Sequence, residues 1–240
     1  MSVASATLDR FLGGRLEIAQ PKRGFRAGHD TVLLAAAVPA GLGSRVLELG
    51  AGAGVASLCL AARVAGVQML GIEIDLGLVG LANENAVRNN VADRVRFEQG
   101  DVANFASAEL FDHVFFNPPF YPASSQESPI AARARAMRDG DNALTQWART
   151  ALALIKPGGT MTTILPANRT GDILVATDGA LVFPLCPHAG EPPKRAIVQI
   201  AKGSSAPLRI AAGLILHEAD GRNTEAVEAV LRHGAELRLV

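Results

Sequence analysis

Arg45-Val46-Leu47-Glu48-Leu49-Gly50-Ala51-Gly52-Ala53-Gly54, followed by the apolar, alanine-rich run Val55 to Val64, reads as strand, glycine turn and helix. Gly50 and Gly52 permit positive φ and let backbone come close to a ligand, the use that glycine has in nucleotide-binding turns. The spacing is Gly-x-Gly-x-Gly. Position 55 is Val, so the dinucleotide pattern Gly-x-Gly-x-x-Gly is not met from Gly50, and Gly66 is too distant to complete it. The next apolar strand, Val67 to Glu73, ends in an acid at roughly the twenty-residue separation that a ribose-binding carboxylate needs. Asp75, two residues on, is a second acid that reads as the cap of the following helix. A third strand, Val95 to Glu98, leads to Gln99-Gly100-Asp101. Asp101 suits either an adenine amino group or the N-cap of a helix opening at Val102.

A fourth apolar run, Phe111-Asp112-His113-Val114-Phe115-Phe116, reads as a buried strand and ends in Asn117-Pro118-Pro119-Phe120. Prolines carry no N–H and have restricted φ, so this segment offers fixed backbone carbonyls with few competing donors. The Asn117 side-chain oxygen and the Pro118 carbonyl suit both hydrogens of an exocyclic NH2, and Phe120 suits stacking on the ring that bears it. Alone, the tetrapeptide also reads as a proline-rich surface loop.

In this order the parts resemble the class I S-adenosylmethionine-dependent methyltransferases: Glu48 and the glycine turn, Glu73, Asp101, then Asn-Pro-Pro-aromatic after strand four. The whole chain is similar to the bacterial tRNA-valine adenine-N6 methyltransferase family. That similarity extends to Gly24-Phe25-Arg26-Ala27-Gly28-His29-Asp30 with Leu33-Leu34-Ala35, to Lys156-Pro157-Gly158-Gly159, to Pro192-Pro193-Lys194-Arg195-Ala196 and to Leu216-His217-Glu218-Ala219-Asp220-Gly221. The resemblance implies a Rossmann-like α/β fold, with a mostly parallel seven-stranded sheet, an antiparallel C-terminal hairpin and helices on both faces. It implies one methyltransferase domain over 1–240, with residues 1–44 covering the cofactor and 45–240 forming the core. It also implies that S-adenosyl-L-methionine lies against Phe25, Asp30, Glu48, Gly50, Ala51, Gly52, Glu73, Asp101, Val102 and Asn117, and that Asn117, Pro118, Pro119 and Phe120 carry catalysis. Phe120 replaces the commoner Tyr of the family, keeping the stack without the hydroxyl, and Tyr121 stands beside it.

The acceptor implied is adenine N6 in tRNA, with side-chain amide methylation of a protein glutamine as the alternative within the same chemistry. A non-catalytic nucleotide- or RNA-binding module is the alternative of another class. Direct transfer to a nitrogen needs alignment and no obvious general base.

Composition sets few limits. With 240 residues and 49% hydrophobic content, the chain can bury one substantial core. The longest apolar stretch, Thr31 to Leu42, contains Pro39 and is too short to span a bilayer, which predicts a cytoplasmic protein without a membrane partner. Cys59 and Cys186 read as two free thiols, and neither they nor His188 and His217 have metal-site spacing. The 23 Lys and Arg balance 23 Asp and Glu, so RNA binding requires local patches. Arg10, Arg15, Lys22, Arg23 and Arg26 form one cluster. Arg133, Arg135 and Arg138, just after the tetrapeptide, form another. Each reads either as a solvated face or as a flank of the active-site mouth.

The remaining segments read as scaffold. Asp141 to Ile155 is an amphipathic helix carrying Trp147 on its buried stripe, Thr160 to Leu165 a fifth strand, Ala180 to Leu185 and Arg195 to Ala201 a final pair, and Asn223 to Arg232 a short helix.

Overall fold

The structure, a computed structural model, describes residues 6–118, 143–175 and 179–240. The chain opens with an antiparallel hairpin, β1 (Ala6–Phe11) and β2 (Leu16–Pro21), followed by α1 (His29–Ala37). Strands and helices then alternate: β3 (Arg45–Leu49), α2 (Val55–Arg63), β4 (Gln68–Glu73), α3 (Leu76–Arg88), β5 (Val95–Gln99) and β6 (Phe111–Phe116). Beyond these come α4 (Ala143–Leu154), β7 (Ile155–Pro166), the short α5 (Thr170–Leu174), β8 (Leu181–Cys186) and β9 (Arg195–Ala201). Two-residue strands β10 (Arg209–Ile210) and β11 (Leu214–Ile215) precede α6 (Glu225–His233).

The main sheet runs β5-β4-β3-β6-β7-β9-β8, with β10 beyond β8 and β11 also against β8. β5, β4, β3, β6 and β7 are parallel, and β9 is antiparallel to both β7 and β8. This is the Rossmann-like sheet that the resemblance implies, extended at its far edge by the two short strands. Successive strand residues serve opposite faces. Val46, Phe115 and Ile197 join the core formed with α1, α2 and α3, while Leu47, Leu49, Val114, Phe116 and Val198 pack with α4. Burial on both faces is why these strands read as continuous apolar runs. The chain leaves β3 toward β4 and β5 on one side, while β6 and β7 lie on the other, so a crevice opens at the carboxyl ends of β3 and β6.

Two asparagines of α3 and Asn89 at its C-cap act as surrogate backbone. Asn85, fully buried, accepts from Ala19 N (2.8 Å) and donates to Ala19 O (2.9 Å) and Ala53 O (3.0 Å). One turn later Asn89 accepts from Glu17 N (3.0 Å) and donates to Glu17 O (2.9 Å). Four helical residues advance about 6 Å and two strand residues about 6.7 Å, so an i, i+4 pair of amides matches alternate residues of β2 and closes its free edge. Asn83 does the same at the outer edge of β5, accepting from Phe97 N (3.1 Å) and donating to Phe97 O (2.9 Å).

Two boundaries differ from the sequence reading. The Gly158-Gly159 turn lies within β7, because Gly158 N donates to Lys202 O (3.1 Å) and Lys202 N to Gly159 O (2.9 Å), so the ladder to β9 continues through the turn. Val102 opens a turn and no helix: Asn104 N donates to Asp101 O (3.0 Å) and the chain then runs irregularly to β6.

Asn85→Ala should destabilise the fold by about 3 kcal/mol or more, because it leaves the N–H and C=O of Ala19 and the carbonyl of Ala53 buried without partners. Asn89→Ala, at a half-buried position, should cost less. Urea unfolding of both variants measures the difference, and equal small losses would mean that water satisfies β2.

Candidate active site

Leu49 lies opposite Phe116 in the register of β3 and β6, so the residues that follow, Gly50 and Asn117, leave neighbouring strands at the same end of the sheet. The glycine turn is fixed from β4. Gly50 N and Ala51 N both donate to Ile72 O (2.8 and 3.0 Å), and Gly52 N donates to Glu73 Oε2 (2.9 Å). These donors are spent inside the protein, so the turn offers a ligand close approach rather than a row of free N–H groups. Gly50 has φ +72°, and a Cβ there would lie 2.8 Å from the Trp147 ring. Trp147 is tilted against Phe116 with ring centroids 5.6 Å apart, so it braces both the glycine turn and the strand end that presents Asn117. Gly54, at φ +82°, begins α2 against the face of Phe97, where a side chain would collide at 2.6 Å.

Glu73 accepts from Gly52 N with one oxygen and from Asp75 N (3.1 Å) with the other, which leaves acceptor capacity on each oxygen. Asp75 is the N-cap of α3, accepting from Gly77 N (2.7 Å) and Leu78 N (3.2 Å). Asp101 accepts from Ala103 N (3.0 Å) and from the Asn104 amide (3.1 Å), and Val102 is buried in the α4-side core.

Glu48 is placed differently from the sequence expectation. It lies behind the turn at 4% exposure, with one carboxyl oxygen accepting from Ser57 N (3.0 Å) and from the Ser57 hydroxyl. Its effect on a ligand therefore passes through the β3–α2 joint. Burial pushes its pKa up to about 8, against the lowering bonds from Ser57 and with a further push from the charge of Glu73.

Phe25, Asp30, Asn117 and Pro118 meet as walls of one open cavity of about 400 Å³. Gly28, Thr31 and Arg195 also line it, and sequence reasoning assigned none of these to the site. Thr31 is nearly fully buried and its hydroxyl has no hydrogen-bond partner among the described residues. Arg195 Nε donates to Asp30 Oδ2 (2.9 Å), joining β9 to the first turn of α1 across 165 positions of sequence. Asn117 has no hydrogen-bond partner among the described residues, and Pro118 is buried. Pro119, Phe120, Tyr121, Arg133, Arg135 and Arg138 lie outside the described residues.

The N-terminal cations are partly neutralised. Arg10 pairs with Glu17 (3.2 Å), and Arg26 pairs with Asp9 while also donating to Thr7 Oγ1 (2.6 Å) and Pro21 O (2.9 Å). Among the described residues, no group of three or more His, Cys, Asp and Glu is placed to hold a metal, and no helix is long and apolar enough to cross a membrane. Cys59 and Cys186 are free, and burial pushes the Cys59 thiol up to about 12.

A family model described as methyltransferase small domain matches residues 26–165. A tRNA1(Val) (adenine(37)-N6)-methyltransferase of Tolumonas auensis is 31% identical over 163 residues, covering 68% of this chain and 68% of that protein. A protein of the same name from Dickeya chrysanthemi is 26% identical over 229 residues, 90% of this chain and 89% of the relative. Among solved structures, the predicted O-methyltransferase Atu636 of Agrobacterium tumefaciens superimposes with a TM-score of 0.72 at 26% identity, covering 87% of this chain and 98% of that one.

The buried Glu48 carboxyl gives a pH test. Its folded-state pKa is raised from 4.5 to about 8, so its contribution to stability is fully present below about pH 4.5 and is lost as pH rises through about 8. Glu48→Gln keeps an acceptor for Ser57 and removes the titration. The melting curve of this variant should fall less than that of the wild type between those limits, the gap reaching on the order of a few kcal/mol above pH 8. Parallel curves would show that Glu48 titrates alike in the folded and unfolded chains.

Proposed function

Because the chain belongs to the methyltransferase small domain family and is a class I S-adenosylmethionine-dependent N-methyltransferase, we propose that its acceptor is N6 of an adenine in tRNA. The observation that carries this reading is the placement of the Asn117 amide, without a partner among the described residues, and of Pro118 beside the glycine turn, on strands whose registers end together. The relatives named above act on adenine 37 of a valine tRNA by their names, and the same class of nucleotide is proposed here.

The residues present fit the cofactor. Glu73 retains acceptor capacity suited to two ribose hydroxyls, Gly50 to Gly52 permit close approach, and Asp101 retains acceptor capacity for an adenine amino group. The unpartnered Thr31 hydroxyl and the N-terminus of α1 suit an anionic group such as the cofactor carboxylate, with Asp30 beside it and Phe25 at the rim. When bound, S-adenosylmethionine supplies an electrophilic methyl group.

The chain supplies alignment. Asn117 Oδ1 and the Pro118 carbonyl accept the two amine hydrogens, which draws the nitrogen out of conjugation and directs its lone pair toward the methyl carbon. Phe120 and Tyr121 are proposed to stack on the base, and Arg133, Arg135 and Arg138 to meet its RNA. Adenine stacked in a helix does not reach such a cavity, so the target lies in a loop or is turned outward. This acceptor places the reaction in the cytoplasm.

Nucleoside mass spectrometry after incubation with unmodified tRNA tests the reading, with N6-methyladenosine as the expected product. Asn117→Ala should lower the rate by about a hundredfold or more while S-adenosylhomocysteine still raises the melting temperature. Glu73→Ala should reduce that melting shift. Methyl transfer to a glutamine-containing peptide with none to tRNA would replace the acceptor proposed here.

A further inference from the structure

Among the described residues, two guanidinium groups line the cavity that holds Asn117, those of Arg26 and Arg195. They are not equivalent. Both terminal nitrogens of Arg26 are committed, one to Thr7 Oγ1 and Pro21 O and the other to Asp9, so this side chain latches the N-terminal hairpin. Arg195 is aimed by its Nε bond to Asp30, its Nη1 makes one long contact to Lys194 O (3.3 Å), and its Nη2 has no partner among the described residues. Its side chain is 41% exposed.

Topology separates this free edge from the residues proposed for the ribose and adenine of the cofactor. Glu73, Asp101 and the glycine turn lie at the ends of β3, β4 and β5, all on one side of β6. Arg195 pairs with Pro166 at the carboxyl end of β7, so it stands at the same end of the sheet on the opposite side of β6, two strands or about 10 Å from the strand that presents Asn117. That span is comparable to the length of one nucleotide. A planar guanidinium held by a carboxylate at one edge and free at another suits a phosphate oxygen.

We infer that Arg195 binds a backbone phosphate at or next to the target adenine, and that Asp30 orients it. The assignment rests on tRNA being the acceptor. It makes Arg195 a substrate-binding residue and assigns the Pro-Pro-Lys-Arg segment a role in holding RNA.

The test compares wild type, Arg195→Ala, Arg195→Lys and, as a control outside the cavity, Arg238→Ala, each assayed with unmodified tRNA over a salt series. Arg195→Ala should raise KM for tRNA about tenfold. Its kcat should stay within about twofold of wild type, and the log–log salt dependence of kcat/KM should flatten by nearly one. Arg195→Lys should restore the salt slope but only part of KM, because a point charge replaces the fork. All four proteins should show the same melting shift with S-adenosylhomocysteine, which excludes misfolding as the cause. An Arg195→Ala enzyme that keeps the wild-type KM and slope overturns the assignment. So does one that loses the melting shift together with kcat, since Arg195 would then act on the cofactor through Asp30. Failure of the wild type itself to methylate tRNA would instead remove the tRNA reading, and this assignment with it.

Discussion

Parallel pairing of β3 with β6, ending at Leu49 opposite Phe116, brings together residues that are 67 positions apart in the chain, Gly50 and Asn117. The sheet changes direction at this pair, so the crevice is a consequence of topology. Every other feature of the site refines that placement. Trp147 wedges beneath it from the α4 face, touching Gly50 and Phe116 together, so a shift of one would disturb the other. Thr163 Oγ1 donates to Phe116 O (2.9 Å), holding the last carbonyl before Asn117 from the neighbouring strand.

The two glutamates flanking the glycine turn divide its support between them. Glu73 reaches the turn from β4 on the open side and ties down Gly52 N, whereas Glu48 reaches α2 from the buried side through Ser57. Had both been exposed, their repulsion would be screened by water. Burial of Glu48 concentrates the cost on that residue, while Glu73 stays partly exposed. The N-terminal hairpin is joined to the same turn by Asn85, whose amide spans Ala19 of β2 and Ala53 of the turn. The segment that carries Phe25 and Asp30 to the cavity is thereby anchored directly to the glycine turn.

Much of this was legible locally. β3 and β6 begin and end where their apolar runs do, and Asn117 follows the last buried phenylalanine. In a strand buried on both faces a lone glutamate must be buried too, so the position of Glu48 was readable from Arg45 to Leu49, although its Ser57 partner lies in the next element. The hairpin was not read. Its alternation is weak, and its free edge is satisfied by amides about 70 residues downstream, which leave no mark in the window around Gly13-Gly14. Thr31 and Arg195 escaped for the same reason. One is notable for a partner it lacks and the other for an ion pair 165 positions away, and neither condition exists before the chain is folded.

Charge balance limits how the site recruits a polyanion. Arg10, Arg26, Arg169, Arg222 and Arg238 each sit within 4 Å of their own acid, so the described surface carries many short dipoles and little net field. Such pairs do little for long-range steering, which depends on uncompensated charge. Arg195 is also paired, but with an acid on a cavity wall and with one donor edge left over. An anion meeting that edge interacts with a pre-aimed donor at short range, where geometry discriminates, rather than with a diffuse field that attracts any nucleic acid. Among the described residues, the contribution proposed for Arg195 is therefore one of short-range fit between Asn117 and the β9 edge rather than of long-range attraction.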